Sequence, residues 1–170
     1  SRPEVKAGFL GRRPIDAIYA SPMRRAQQTL APLASHCPKP AIVLSEFREV
    51  DFGDWTGLTW EQVHSRHQIS AFDWLDKIER GAIANAESGA AFRARVEPAL
   101  REIVRGHAGQ SVAIVCHGGV IRMMLSILLD LALPKLASFE IDYASVTQVE
   151  HHEHKTEATL VNFAPWRDLP

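Results

Sequence analysis

The stretch Val112-Ala113-Ile114-Val115-Cys116-His117-Gly118-Gly119-Val120-Ile121-Arg122 decides the fold. Residues 112–116 are apolar without alternation, which fits a short strand covered on both faces. His117-Gly118-Gly119 then turns directly into a helical pattern over about 120–132, carried by Val120, Met123, Met124 and Ile127. A buried strand feeding a helix is the unit of a parallel sheet. The same unit appears upstream. Residues 15–20 form a short apolar run between Pro14 and Pro22. A helix follows, with Ser21 as N-cap and Pro22 at its first position, running to near His36 before Pro38-Lys39-Pro40.

The remaining segments extend this alternation. Val5, Phe9 and Leu10 predict a helix over 4–13, ended by Gly11 and Pro14. Residues 41–44 read as a strand, 47–59 as irregular chain, and 59–67 and 70–80 as short helices. Phe92, Val96, Leu100 and Val104 recur one turn apart, predicting an amphipathic helix over 88–107. Residues 146–151 and 158–163 read as antiparallel strands around a polar turn. The expected class is α/β: a three-layer α/β/α sandwich with a mainly parallel sheet, one domain filling residues 1–170.

Composition narrows the function. The chain has 170 residues, 46% of them hydrophobic, enough for a real core. Its 19 basic and 20 acidic residues leave a net charge of −1. That balance gives no electrostatic case for nucleic acid or an anionic membrane, so neither is an expected partner. The apolar run 123–129 stops at Asp130, far short of the roughly 18 residues a membrane span needs. Two cysteines, Cys37 and Cys116, are not a disulfide framework, and a reducing cytoplasm is the expected location. No secretory signal opens the chain. It begins Ser1-Arg2-Pro3-Glu4 without an initiator Met, so upstream residues are expected.

Ligands of open α/β sheets sit at the carboxyl ends of the strands, and two such ends are chemically loaded here. At His117-Gly118-Gly119 the glycines allow an anion close to the backbone, where unpaired amides and the positive helix end meet it. At Ser21-Pro22-Met23-Arg24-Arg25 two arginines open a helix, where the macrodipole disfavours cations. A bound dianion would explain them, and a solvated surface pair is the plainer alternative, better suited to Arg24. A third stretch, residues 44–57, mixes carboxylates with aromatic rings. Glu46, Glu49, Asp51 and Asp54 all compete there as a general acid of raised pKa, or form an exposed acidic loop.

In order, these stretches resemble the histidine phosphatase superfamily, in the branch that includes cofactor-dependent phosphoglycerate mutase. Ser21-Pro22-Met23-Arg24-Arg25-Ala26-Gln27-Gln28-Thr29 is similar to its Ser-Pro-Leu-x-Arg-Ala-x-Gln-Thr, which maps the phosphate-binding arginine onto Arg25. Residues 48–57, Arg48-Glu49 through Phe52-Gly53-Asp54-Trp55-Thr56-Gly57, are similar to Arg-Glu-x-x-Phe-Gly-x-Trp-x-Gly, which maps the proton donor onto Glu49. Val115-Cys116-His117-Gly118-Gly119 is similar to Val-Ser-His-Gly-Gly, with Cys116 for Ser, and maps the second active-site histidine onto His117. Ala86-Glu87-Ser88 is a weaker match to Gly-Glu-Ser.

The resemblance implies a phosphomonoester hydrolase or phosphomutase working through phosphohistidine on a small phosphorylated metabolite. Arg25, His117 and Gly118 would bind phosphate, and Glu49 would protonate the leaving alcohol. No metal or cofactor is implied, and a homodimer is left open. The short span 57–86 favours a phosphatase over a mutase. The family's Arg-His-Gly, whose histidine takes the phosphoryl group, does not occur in the 170 residues; Arg105-Gly106-His107 has the letters in another order. The expectation is that this first strand lies upstream; a non-catalytic phosphate-binding domain is the alternative. Cys116-His117-Gly118-Gly119-Val120-Ile121-Arg122 also satisfies Cys-x-x-Gly-x-x-Arg, a rival reading with Cys116 as a thiolate nucleophile. Under the leading reading Cys116 is a buried strand residue and Arg122 lies on a helix surface. His151-His152-Glu153-His154 reads as a solvated turn rather than a metal site. Trp74 and Phe72, in the segment expected to cover the pocket, are candidate substrate contacts.

Overall fold

The computed structural model describes Leu10 and residues 14–35, 37–70 and 72–169. The helix read over 4–13 lies outside these residues, apart from Leu10, which is helical. Three parallel strands, β1 (Ala17–Ala20), β2 (Ile42–Val43) and β3 (Val112–Val115), form a sheet in the order β2-β1-β3. Tyr19 lies opposite Ile42 on one side and Ile114 on the other.

Alternation along the strands separates the two covering layers. Ile18, Ala20 and Val115 pack with Ala26, Leu30 and Leu33 of α1 (Arg24–Ala34). Tyr19, Val112 and Ile114 point to the opposite face. There they meet Phe92, Val96, Leu100 and Ile103 of α4 (Gly89–Gly106), with Val120 and Met123 of α5 (Gly118–Leu128). These six are at most 6% exposed, and each such side chain contributes about 1.5–3 kcal/mol relative to exposure. The result is the expected three-layer α/β/α sandwich. Two short helices, α2 (Trp60–His67) and α3 (Trp74–Glu79), cross the chain between β2 and α4. Thr59 starts α2 with a capping box to Gln62.

Strands β4 (Val146–His152) and β5 (Lys155–Phe163) form a separate antiparallel hairpin, followed by the one-turn α6 (Pro165–Asp168). Among the described residues β3 pairs only with β1, and β4 only with β5. Residues 112–116 and 146–153 both line one cavity of about 2010 Å³. Strands β3 and β4 therefore border the same cavity.

Several element starts differ from the sequence reading: α3 begins at Trp74 rather than 70, and β5 at Lys155 rather than 158. Helix α1 begins at Arg24, with Met23 in the N-cap position, rather than at Pro22. Ser21 is held back because its hydroxyl accepts the Met23 N–H at 3.2 Å, a local turn that competes with capping. Helix α5 begins at Gly118, because His117 already has the extended N-cap backbone. Among the described residues no helix is long and apolar enough to cross a membrane.

Candidate active site

The carboxyl ends of β1 and β3 lie side by side, since Ser21 N–H continues the ladder to the Val115 carbonyl at 2.9 Å. That registers Ser21 against His117. Both side chains are buried, and Ser21 Oγ lies 2.7 Å from His117 Nε2. From the first turn of α1, Arg25 Nε donates to His117 Nδ1 at 3.1 Å. Arginine has no acceptor, so Nδ1 is the unprotonated nitrogen and Nε2–H donates to Ser21. Burial, reinforced by the Arg25 charge, lowers the His117 pKa from 6.5 to about 4. His117 is therefore a neutral imidazole of fixed tautomer near pH 7. Gln27 braces the arrangement by donating to the Ser21 carbonyl at 2.6 Å.

Glu49 arrives from the irregular segment after β2. Its Oε1 accepts the Val50 N–H at 3.0 Å and its Oε2 the Gly119 N–H at 3.2 Å, at the start of α5. Burial raises its pKa; the amides of Val50 and Gly119 and the Arg25 charge oppose the rise without cancelling it. Gly119 is required for this approach, because a Cβ there would collide with Glu49 Oε1. The competing carboxylates are engaged elsewhere: Asp51 accepts from Gly53 N–H, Asp54 from Asn85, and Glu46 from the adjacent Ser45. Gly53 has φ +51°, and a Cβ on it would strike the backbone of residues 84–86, which fixes the turn after Glu49.

Ala86-Glu87-Ser88 turns out to brace this loop. Ser88 caps α4 by accepting the Ala91 N–H. Glu87 forms a two-pronged pair with Arg95 at 2.7 and 2.8 Å, both side chains 15% exposed. Arg95 Nη1 also reaches the carbonyls of Glu46 and Arg48 at 2.6 and 2.9 Å, on either side of the turn that leads to Glu49. Sequence reasoning missed Arg95 and the role of Ser21. Arg95 lies three residues past Phe92, beside the buried stripe of α4, a weak signal; Ser21 has the local signature of a helix cap.

Arg122 is not a surface residue, contrary to expectation. It is half-buried under the 3-10 segment Leu133–Ser138 and gives one bond from each nitrogen to the carbonyls of Gly118, Leu136 and Phe139. Its guanidinium lies 5.8 Å from the Trp74 ring, and burial lowers its pKa. Cys116 sits just past the end of β3 and is half-buried rather than buried. His107 bonds Tyr19 and Gln110 at the amino end of β3. His151, His152 and His154 are exposed on the hairpin, and among the described residues no cluster of His, Cys, Asp or Glu could hold a metal ion. His36 lies outside the described residues.

Arg25, His117 and Glu49 thus meet in one cleft at the carboxyl edge of the sheet, from segments that follow three different strands or turns. The sequence profile of the histidine phosphatase superfamily (branch 1) matches residues 5–164. The chain belongs to this superfamily. Among its relatives, phosphoserine phosphatase 1 of Hydrogenobacter thermophilus is 29% identical over 94% of this chain and 75% of its own length. The adenosylcobalamin/alpha-ribazole phosphatase of Salmonella typhimurium is 24% identical over 94% of this chain and 79% of its own. A solved mycobacterial glucosyl-3-phosphoglycerate phosphatase with inorganic phosphate superimposes with a TM-score of 0.84 at 26% identity, covering 96% of this chain and 84% of that one. The parallel sheet, its helices and the hairpin of this histidine phosphatase chain therefore share the fold of that mycobacterial phosphatase.

Proposed function

We propose that the chain carries the phosphate-binding and proton-donating half of a phosphomonoester hydrolase that uses phosphohistidine. The observation that carries this reading is the junction Arg25–His117–Glu49, where a guanidinium, a neutral imidazole and a carboxyl of raised pKa face one helix start. Arg25 supplies charge and planar donors for a phosphate dianion. The Gly119 amide is taken by Glu49, so the helix-end contact to phosphate falls to Gly118.

In the reaction a histidine nitrogen attacks phosphorus and the ester P–O bond breaks. Protonated Glu49 gives its proton to the departing alkoxide, and Glu49 carboxylate then takes a proton from the water that attacks the phosphohistidine. The acceptor histidine is not one the 170 residues offer in an Arg-His-Gly setting. An upstream strand is its proposed carrier, and the cavity shared by β3, β4 and His117 is where that strand would bring it to the site. The substrate is a small phosphorylated metabolite, and the relatives named as phosphatases favour hydrolysis over mutase transfer.

The cysteine-nucleophile reading needs Arg122 as its phosphate clamp, and that guanidinium is turned to three main-chain carbonyls. The test uses the full gene product and a generic phosphomonoester. Hydrolysis is expected to survive EDTA, thiol alkylation and Cys116→Ser, and to be mostly lost in His117→Ala. An acid-labile, base-stable phosphoenzyme is expected in rapid quench. Loss on Cys116→Ser with retention in His117→Ala would transfer the nucleophile to the cysteine. Phosphate binding without any turnover would make this a non-catalytic domain.

A further inference from the structure

Beyond Glu49 the cleft wall is aromatic. A Cβ built on Gly119 would collide with Glu49 Oε1 and lie 3.4 Å from Trp74 Cη2, so ring and carboxyl border the same point. Phe52 is tilted against Trp74 at 5.4 Å between centroids, and Trp60 meets Phe52 edge-on at 6.1 Å and Trp74 at 6.2 Å. All three rings line the cavity that holds Arg25 and His117. Trp74 is 8% exposed and is accounted for by packing; Trp60 is 46% exposed on the cavity wall. An indole half open to a cleft, backed by two more rings, is a stacking surface for a flat apolar group.

The cations that line this cavity are engaged or lie away from the rings. Arg101 and Arg105 also line the cavity, but they sit in the last turns of α4, which leads to the amino end of β3, away from the site. Arg25 is engaged with His117. Arg122 is turned to main-chain carbonyls and lies over Trp74. The acidic side chains that line the cavity are Glu49, Glu140, Asp142, Glu150 and Glu153, of which Asp142 is paired with Arg167 at 2.6 Å. A carboxylate carried by the substrate next to its phosphate would lie against the rings and the Glu49 carboxyl that border the same point.

We infer that the alcohol half of the substrate is an uncharged, planar apolar group that lies against Trp60, with Phe52 and Trp74 behind it. The inference rests on the phosphomonoester reading of the site and names its substrate class. Specificity then comes from stacking at Trp60 and from repulsion of acidic alcohols, while Arg25 and His117 hold the phosphate common to all substrates.

The test is calorimetric binding to the full gene product, with inorganic phosphate, 1-naphthylphosphonate and 3-phosphonopropionate as probes, none of which can be hydrolysed. Naphthylphosphonate is expected to bind about tenfold more tightly than phosphonopropionate. Trp60→Ala is expected to weaken naphthylphosphonate about three- to tenfold more than it weakens phosphate, with Trp60→Phe restoring most of the difference. Equal or tighter binding of phosphonopropionate, or parallel losses of both ligands in Trp60→Ala, overturns the substrate class and leaves the phosphate site standing. If no probe binds, or Arg25→Ala changes none of them, the phosphate site itself fails and this inference with it.

Discussion

His117 should make the protein acid-sensitive well above the pH at which carboxylates titrate. Its pKa in the folded chain is about 4 against 6.5 unfolded, because it is 6% exposed and faces Arg25. The sign follows from proton counting. Between these two values the unfolded chain binds more protons than the folded one, so stability rises with pH. The contribution is fully present above the unfolded value and is lost as pH falls toward the folded one. The gap corresponds to about 3 kcal/mol lost between pH 7 and pH 4, with about 2 kcal/mol already gone at pH 5. Glu49 acts oppositely. Its raised folded pKa stabilises the fold at low pH and is lost as pH rises through that value, so the comparison must cancel it. His117→Asn does so, since an amide oxygen can still accept from Arg25 but cannot titrate. Urea unfolding followed by tryptophan fluorescence at intervals from pH 4 to pH 7 gives both curves. The difference between wild type and His117→Asn should shrink by about 3 kcal/mol on acidification. Parallel curves would mean that His117 titrates normally and that its neutral, fixed tautomer is wrong.

Three further outcomes are expected. Ser21→Ala removes the acceptor of the buried His117 Nε2–H and should lower stability by about 1–3 kcal/mol in denaturant titrations; an unchanged midpoint would remove Ser21 from the site. Arg95→Met leaves Glu87 largely buried without its partner and should cost about 3 kcal/mol or more, with much of the loss recovered when Glu87→Gln is added; simple additivity would argue against the brace. In the full gene product, Glu49→Gln should slow hydrolysis of an alkyl phosphate far more than that of nitrophenyl phosphate, which needs little help from an acid; equal losses would leave Glu49 a purely structural cap on α5.

The parts of this fold that were readable in the sequence are those fixed by local physics. Strand β3 and helix α4 were placed within a residue or two, because an unbroken apolar run and a helical period each leave one buried solution. The loaded strand ends were readable for the same reason: Arg25 and His117 follow strands whose register brings them together. What escaped depends on partners far along the chain. Ser21 resembles a helix cap in any local window, and only His117, 96 residues away, makes it part of the site. Arg122 looked exposed on its own helix, but the segment that covers it begins eleven residues later, at Leu133. The choice of Glu49 among four carboxylates was likewise undecidable by composition. Of the four, among the described residues, Glu49 is the one that meets the Gly119 amide at the start of α5, a contact made 70 residues along the chain.

That choice also explains the electrical state of the cleft. Two of its three ionisable groups are pushed toward neutrality by burial, Glu49 upward and His117 downward. Arg25, on the exposed side of the junction, keeps the positive charge and contributes to both effects, lowering His117 and restraining Glu49. A phosphate dianion entering beside Arg25 would reverse the first influence and strengthen the rise of the second, since added negative charge favours the protonated form of both groups. The same act of binding would then load the proton donor and equip the imidazole to share the phosphate charge. Under the proposed phosphatase reading, a cleft that holds one cation and two neutral groups when empty would become an acid and a pair of cations around the phosphate.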